Sequence, residues 1–277
     1  MNGYFTQLCV VGYAGRMRFS FSTPNLLKFM KSASIFRLLF LVLFLGIEVL
    51  VCGISLGQDV DVNTSVNPGI NDSFLDPALE IESWLEKFEV ESREVYRARE
   101  SILAAMGIKQ GDHVADIGAG TGFFSLMMNE AVGKGGWCYS VELSPKFAQH
   151  LTKLFADKKI DNSTTVLCRD DSVCLPPNSI DFAFICDVYH HFEFPHSTMQ
   201  SIHQALKQGG RVVVIDFERI EGESREWTMG HVRAGKQTFI DEISEAGFEL
   251  TAERTINGFD ENYFLEFRKR PMTGSGN

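Results

Sequence analysis

The chain of 277 residues is 44 % hydrophobic, 22 % charged and 12 % aromatic, a balance that suits one globular domain of good size with an extension. Its formal net charge of -10 is uneven: residues 1–57 carry Arg16, Arg18, Lys28, Lys31 and Arg37 against one acid, Glu48, leaving 21 basic and 35 acidic residues to the rest. So acidic a body is a poor partner for nucleic acid or an anionic membrane, and a small or neutral substrate fits it better.

Taken in chain order, the first feature is an apolar run from Leu38 to Ile47, preceded by Lys31 and Arg37 and broken by Glu48. A second apolar run follows, and Ser55 and Gly57 stand as small residues at cleavage positions. That is the layout of a secretory signal peptide, with Met30 the expected start. Residues 38–56 are also long enough to span a bilayer, although Glu48 is costly at its middle. Residues 1–57 are therefore expected to be an N-terminal extension with a signal peptide or membrane anchor. The expected localisation is exported or membrane-associated, and cytoplasmic if the start is misassigned. Residues 58–75, rich in Asp, Asn, Ser and Gly without periodicity, read as a linker.

Asp76-Pro77 has the form of a helix start, a capping carboxylate followed by proline. Ile81, Trp84, Leu85 and Phe88, then Val95, Ile102 and Leu103, recur at helical spacing and predict one or two helices ending near Gly107. Beyond it, short apolar runs at 113–118, 137–143, 164–169, 180–187 and 211–217 predict strands. Helix-like segments at 122–132, 145–158, 195–208 and 236–246 lie between or after them. Strands alternating with helices require a mostly parallel sheet with helices on both faces. The end breaks the rhythm. Strand-like 248–256 and 262–269 are separated by five residues only, enough for a hairpin and too few for a parallel crossover, so the last strand is expected to be antiparallel.

Cys138, Cys168, Cys174 and Cys186 lie in the body with no CxxC pair and no His at finger spacing, so they are read as core packing and no metal is expected. His190, His191 and His196 lie close in sequence, and no carboxylate or Cys completes an obvious metal-binding set with them.

The stretch VADIGAGTGFFS, Val114 to Ser125, places Gly118, Gly120 and Gly122 just after the first strand. A dinucleotide fingerprint needs its third glycine at position 123, which is Phe123, and a phosphate loop needs Gly-Lys-Ser/Thr, which is absent. The surroundings are acidic instead. Asp116 precedes the loop, where a carboxylate repels phosphate and attracts an ammonium group. Glu142 ends the second strand, suited to two ribose hydroxyls. Asp170 and Asp171 follow the third strand, suited to an exocyclic adenine amine, and Asp187 ends the fourth. This set suits a cationic nucleoside without phosphate.

With Asp116-x-Gly118-x-Gly120-x-Gly122, Glu142, the run Asp171 to Asp181, His190-His191 and LKQGGRVVVIDF (206–217), the chain resembles class I S-adenosylmethionine-dependent methyltransferases. The flavour is that of the small-molecule group containing menaquinone and ubiquinone C-methyltransferases. The resemblance spans about residues 85–268 and implies a Rossmann-like seven-stranded sheet with its last strand antiparallel. It implies S-adenosyl-L-methionine as cofactor and a small-molecule acceptor. The methyltransferase domain is then expected at 76–270, with 271–277 a tail.

The same resemblance puts the loop Gly118, Ala119, Gly120 and Gly122 under the methionine moiety, with Asp116 orienting its ammonium group. Glu142, beside Leu143, takes the ribose, and Asp171 takes adenine in competition with Asp170, beside Ser172. The backbone at Asp187 faces methionine, and Tyr96 closes over the cofactor. It also makes Tyr189, His190 and His191 substrate-facing, any of them able to take a proton. The bland reading is that the His pair caps a turn. Arg233 and Lys236 read as a solvated face, with an anionic substrate group as the alternative, and Trp84 and Phe88 as core, with the lining of a substrate entrance as the alternative. An NAD-dependent oxidoreductase and a catalytically inactive ligand-binding domain of the same fold are the alternatives.

Overall fold

The computed structural model describes residues 64–90 and 93–271. The segment read as a signal peptide or anchor, and the tail, lie outside the described residues. Among the described residues no helix is long and apolar enough to cross a membrane.

Seven strands form one sheet: β1 (His113–Ile117), β2 (Trp137–Glu142), β3 (Ser163–Leu167), β4 (Ile180–Cys186), β5 (Leu206–Phe217), β6 (Phe248–Arg254) and β7 (Asn262–Lys269), in the order β3-β2-β1-β4-β5-β7-β6. The first five run parallel, and β7 is antiparallel to both β5 and β6. The short connection between β6 and β7 dictates that reversal, as the sequence requires.

Residues alternate between two faces along each strand. Ala115, Ile117, Val141, Ala183, Ile185, Val212, Val214, Leu265 and Phe267 share one core cluster with Met199 and Ile202 of helix α7 (Pro195–Ala205) and Phe239 and Ile243 of α9 (Lys236–Glu245). On the other face Val114, Cys138, Phe182, Phe184, Val213, Ile215 and Phe264 pack with Ile102 and Met106 of α4 (Arg99–Met106) and Met128 and Val132 of α5 (Phe123–Val132). Covering both faces of the central strands removes their apolar side chains from water, which is why those strands read as apolar runs. Helix α6 (Pro145–Lys158) takes its proline in the first turn, where the missing N–H costs nothing, and stops at Lys159 in the left-handed conformation, φ 55°.

The structure corrects the sequence reading at several points. Asp76 does not begin a helix. Its carboxylate accepts the main-chain N–H of Ala78 at 2.8 Å, a local turn, and the helix is α2 (Ile81–Phe88), followed by the single turn α3 (Glu94–Arg97) and then α4. The later part of the expected linker is folded. One helical turn, α1 (Asp72–Leu75), follows Asn71, which is buried and donates its amide to the carbonyl of His191 at 3.0 Å. Residues 206–208 belong to β5 and not to the preceding helix, because Leu206 pairs with Ile180 before the strand bulges to pair Arg211 with Phe182. An unforeseen helix, α8, covers Glu226–His231. Cys138 is buried as expected, whereas Cys174 is exposed, so core packing does not account for it.

Candidate active site

The strand order reverses direction between β1 and β4, since the chain winds one way to β2 and β3 and the other way to β4 and β5. Crevices for ligands open at the carboxyl ends of strands at such a point. Here the crevice is a cleft of about 1020 Å³ lined by the chain after β1, β2, β3 and β4 and by α1, α2 and α3.

The glycine loop shapes its floor. Gly118, Gly120 and Gly122 have φ of 73°, 51° and 86°, all in the left-handed region. The three are not alike. A Cβ on Gly118 would sit 2.6 Å from both methyls of Val188, so this glycine admits the chain that follows β4. A Cβ on Gly122 would meet Leu151 at 2.7 Å and Leu154 at 2.9 Å, so that glycine serves the packing of α5 on α6, and it does not line the cleft. A Cβ on Gly120 would meet nothing closer than Phe88 at 3.7 Å and the Gly118 carbonyl oxygen at 3.9 Å, ordinary contact distances. The loop is pinned by Gly118 and Ala119 N–H donating to the carbonyl of Val141 at 2.8 and 3.1 Å, and by Gly120 N–H donating to Glu142 Oε2 at 2.8 Å.

Acidic side chains surround that floor. Asp116 is buried, accepts from Ser125 Oγ at 2.6 Å, and has its pKa raised to about 7 by burial, with Ser125 opposing and Glu142 adding to the rise. Glu142, also raised by burial, accepts N–H groups of Gly120 and Ser144 on its two oxygens, each at 2.8 Å; each oxygen keeps a further lone pair. Asp170, Ser172 and Leu143 line the cleft. Asp171 does not: its carboxylate turns outward to Arg169 Nε at 2.9 Å, so the acid facing the cleft after β3 is Asp170. The Asp187 side chain is committed to Arg93 and to Asn262, the latter at 2.9 Å. Burial raises its pKa and the Arg93 charge works against that rise. Tyr96 lines the cleft from α3, its ring 4.8 Å from that of Phe123 and under the Arg99 guanidinium.

At the other end of the cleft the three residues after β4 separate. Tyr189 is fully buried between Phe192 and Phe239 and donates its hydroxyl to Glu242 at 3.1 Å, which removes it from the cleft. His190 and His191 remain in the lining. His190 Nδ1 lies 2.8 Å from Asp216 Oδ1, and its main-chain N–H donates to Asp216 Oδ2 at 3.1 Å. Burial opposes protonation of His190, yet the Asp216 carboxylate holds its pKa above the usual value. Burial, with His190 and His231 alongside, drives His191 down to about 2, so it is neutral.

Several lining residues escaped the sequence reading. Asn71 and Phe74 come from the stretch taken as linker, and His231 and Trp227 from the unforeseen α8. Trp84 and Phe88 line the cleft in an aromatic group with Phe74 and Phe147, the second of the two readings the sequence offered for them. Arg233, read as a solvated face, is nearly buried and grips Glu242 through two bonds of 2.7 and 2.6 Å, while Lys236 pairs with Glu218 and Glu253.

Residues 115–214, from β1 through most of β5, match the sequence profile described as "Methyltransferase domain". The chain is 24 % identical over 185 residues to the ubiquinone/menaquinone biosynthesis C-methyltransferase UbiE of Pseudoalteromonas translucida, covering 56 % of this chain and 74 % of that protein. It contains a class I S-adenosylmethionine-dependent methyltransferase domain. A demethylmenaquinone methyltransferase of Staphylococcus epidermidis is 23 % identical over 190 residues, 64 % of this chain and 77 % of that one. A SAM-dependent methyltransferase of Aquifex aeolicus shares the fold, with a TM-score of 0.59 at 18 % identity, covering 69 % of this chain and 98 % of that one.

The residues of the methyltransferase domain fit the cofactor. The floor has a glycine whose missing side chain leaves room, and the walls offer acceptors, as a cation bearing hydroxyls needs. Two basic side chains of the lining, Arg93 and Arg169, are paired with Asp187 and Asp171.

Proposed function

We propose that this methyltransferase domain methylates a small, flat, largely apolar acceptor, and that its acidic end holds the cofactor by its adenosine and ammonium groups. The observation that carries the proposal is the mixed lining of the cleft. Asp116, Glu142 and Asp170 offer acceptors beside the glycine loop, and Phe74, Trp84 and Phe88 add an aromatic wall that reaches Gly120 through Phe88, around a volume at the top of the range of about 300–1,000 Å³ usual for small-molecule sites. The quinone-directed relatives support an acceptor of the same general kind.

S-adenosylmethionine supplies an activated methyl group on a sulfonium. The residues of this chain bind and orient. Glu142 accepts the ribose hydroxyls on its free lone pairs, Asp170 the adenine amine, and Asp116 the ammonium group, with Gly120 allowing close approach of the main chain. Tyr96 covers the cofactor, and the aromatic end positions the acceptor in line with the methyl group, where alignment alone contributes much of the rate. Because positive charge disappears from the sulfonium during transfer, carboxylates that bind the distant ammonium and ribose favour the reaction more than carboxylates at the sulfur.

Calorimetric titration with S-adenosylmethionine, S-adenosylhomocysteine and NAD tests the cofactor assignment, and a labelled-methyl screen against extracts tests the acceptor. Binding of both sulfur nucleosides and not of NAD is expected. Tight NAD binding alone overturns the reading, and binding of both sulfur nucleosides with no transfer in any extract favours an inactive binding domain. We also propose, from residues 38–56, that the chain is exported or membrane-associated; full-length chain found wholly in the soluble cytoplasm refutes this.

A further inference from the structure

His190, His191 and His231 converge at the aromatic end of the cleft, with one ring nitrogen from each within 4.8 Å of the others. The first two sit on the turn after β4 and the third ends α8, so distant segments are brought together. Ring centroids are 4.3 Å apart for His190 and His191 and 5.1 Å for His231 against each. His196 takes no part: it is half-buried, and its ring nitrogen lies 2.8 Å from the side-chain amide of Gln200.

The polar partners of the cluster have a pattern. His190 gives Nδ1 to the fully buried Asp216, leaving Nε2 as its remaining nitrogen. A carboxylate on the far nitrogen of an imidazole is the usual support of a metal-binding histidine, fixing the tautomer and raising its basicity. Asp216 is itself held by the main-chain N–H groups of His190 and Phe217, at 3.1 and 2.8 Å. His191 Nδ1 is buried and has no hydrogen-bond partner among the described residues, an arrangement that needs an explanation. The Trp227 ring stacks on His231 at 4.7 Å, and Phe74 meets His191 edge-on at 5.2 Å, so the rings are walled by apolar surface.

We infer that His190, His191 and His231 bind a divalent first-row transition metal ion, with zinc the reference case, in the acceptor end of the cleft. Three imidazoles with a further position open to the cleft is the arrangement of a catalytic site and not of a closed structural one. Tetrahedral ligation at about 2.0–2.1 Å puts ligand nitrogens roughly 3.3 Å apart; side-chain rotation of His191 and His231 closes the remaining gap. Three neutral ligands leave the ion its double charge, so the open position favours an anionic oxygen or sulfur of the acceptor. This role rests on the methyl-transfer reading, whereas the metal site itself does not. The acceptor's O–H or S–H proton goes to solvent. The freed lone pair forms the bond to the methyl carbon while the carbon–sulfur bond of the sulfonium breaks and leaves its electron pair on sulfur. The metal keeps its oxidation state.

The test uses the full chain, stripped with a chelator and titrated with Co²⁺, then with Zn²⁺ in competition against a chromophoric chelator. One equivalent is expected, with the visible absorption of four-coordinate cobalt. His231→Gln is expected to weaken binding at least tenfold, and Asp216→Asn by about 10–100-fold as the loss of a supporting carboxylate does. His231→Cys is expected to restore binding and to add a sulfur-to-cobalt charge-transfer band, which a purely structural histidine cannot give. S-adenosylhomocysteine titrations of the same samples report folding and keep the two readings apart: metal binding without nucleoside binding defeats the proposed function alone. Absence of stoichiometric Co²⁺ binding by the wild type, or equal binding by His231→Gln, overturns the metal site.

Discussion

Replacing Asp116 by asparagine isolates the electrostatic part of cofactor binding with little change of shape. Without ligand the Asp116 carboxyl has its pKa raised to about 7, mainly by burial. At pH 6 about nine chains in ten therefore carry its proton. An ammonium group against the carboxylate favours the ionised form, so binding drives the proton off. If the pKa in the complex returns near the ordinary carboxylate range, binding at pH 6 releases about 0.9 proton from this group. The cofactor's own ammonium stays protonated below pH 7. The apparent affinity then rises about fifty-fold between pH 5 and pH 7.

Calorimetric titration with S-adenosylmethionine in two buffers of different ionisation enthalpy counts the protons directly. Asp116→Asn is expected to release about 0.9 proton fewer at pH 6 and to lose most of the pH dependence of affinity. Equal proton release by the two proteins refutes the placement of the ammonium at Asp116.

Stability gives an independent check with its own sign. The folded pKa lies above the unfolded one, so between about pH 4 and pH 7 the folded chain holds a proton that the unfolded chain has lost. This contribution is full below pH 4 and disappears as pH rises through 7, a span of roughly 4 kcal/mol at about 1.4 kcal/mol per unit. Denaturant unfolding of Asp116→Asn should show a curve flatter by that order across the window.

Other expectations are specific to position. Gly118→Ala forces a Cβ into Val188 at 2.6 Å in a left-handed backbone and should cost about 1–3 kcal/mol of stability together with cofactor affinity; adding Val188→Ala should recover part of it, as read by urea titration and calorimetry. Gly122→Ala clashes with Leu151 and Leu154 and should lower stability by a similar amount, about 1–3 kcal/mol, with cofactor affinity of the folded chain retained. Arg93→Ala leaves the Asp187 carboxylate without its cation and should destabilise by about 3 kcal/mol in urea unfolding. Trp84→Ala opens the aromatic wall and should raise KM for the acceptor more than it raises the Kd for S-adenosylhomocysteine, read by steady-state kinetics and calorimetry on the same protein.

The sheet was legible because its strands are buried on both faces and punctuated by turn residues. Val114 to Ile117 or Ala183 to Ile185 cannot be placed otherwise, and the close spacing of 248–254 and 262–269 leaves no route but a hairpin. The acidic, glycine-bearing part of the cleft lining was legible for a related reason: Asp116, Gly118, Gly120 and Glu142 all lie within a few residues of a strand end, where local sequence and position in the fold coincide. Gly122 shows the limit, since in sequence it belongs with the other two glycines and in space it belongs to the contact between α5 and α6. Asp170 and Asp171 are adjacent and face opposite ways, which spacing alone does not resolve. The acceptor end depends on tertiary contacts. Asn71 and Phe74 sit in a polar stretch without periodicity, and their burial comes from packing against the turn at His191. His231 ends a helix of six residues, too short for a period to show, so nothing local connects it to His190 and His191, whereas His196, much nearer in sequence, pairs with Gln200 on its own helix. Tyr189 was misplaced because a tight turn sends consecutive side chains in different directions.

A crystal structure of the chain with S-adenosylhomocysteine tests the central claim most directly. The account predicts the ribose hydroxyls within hydrogen-bond distance of Glu142, the adenine beside Asp170, and the homocysteine chain lying over Gly118 to Gly120 toward Asp116. Nucleoside density anywhere else in the molecule, with that acidic end of the cleft filled by solvent alone, contradicts it.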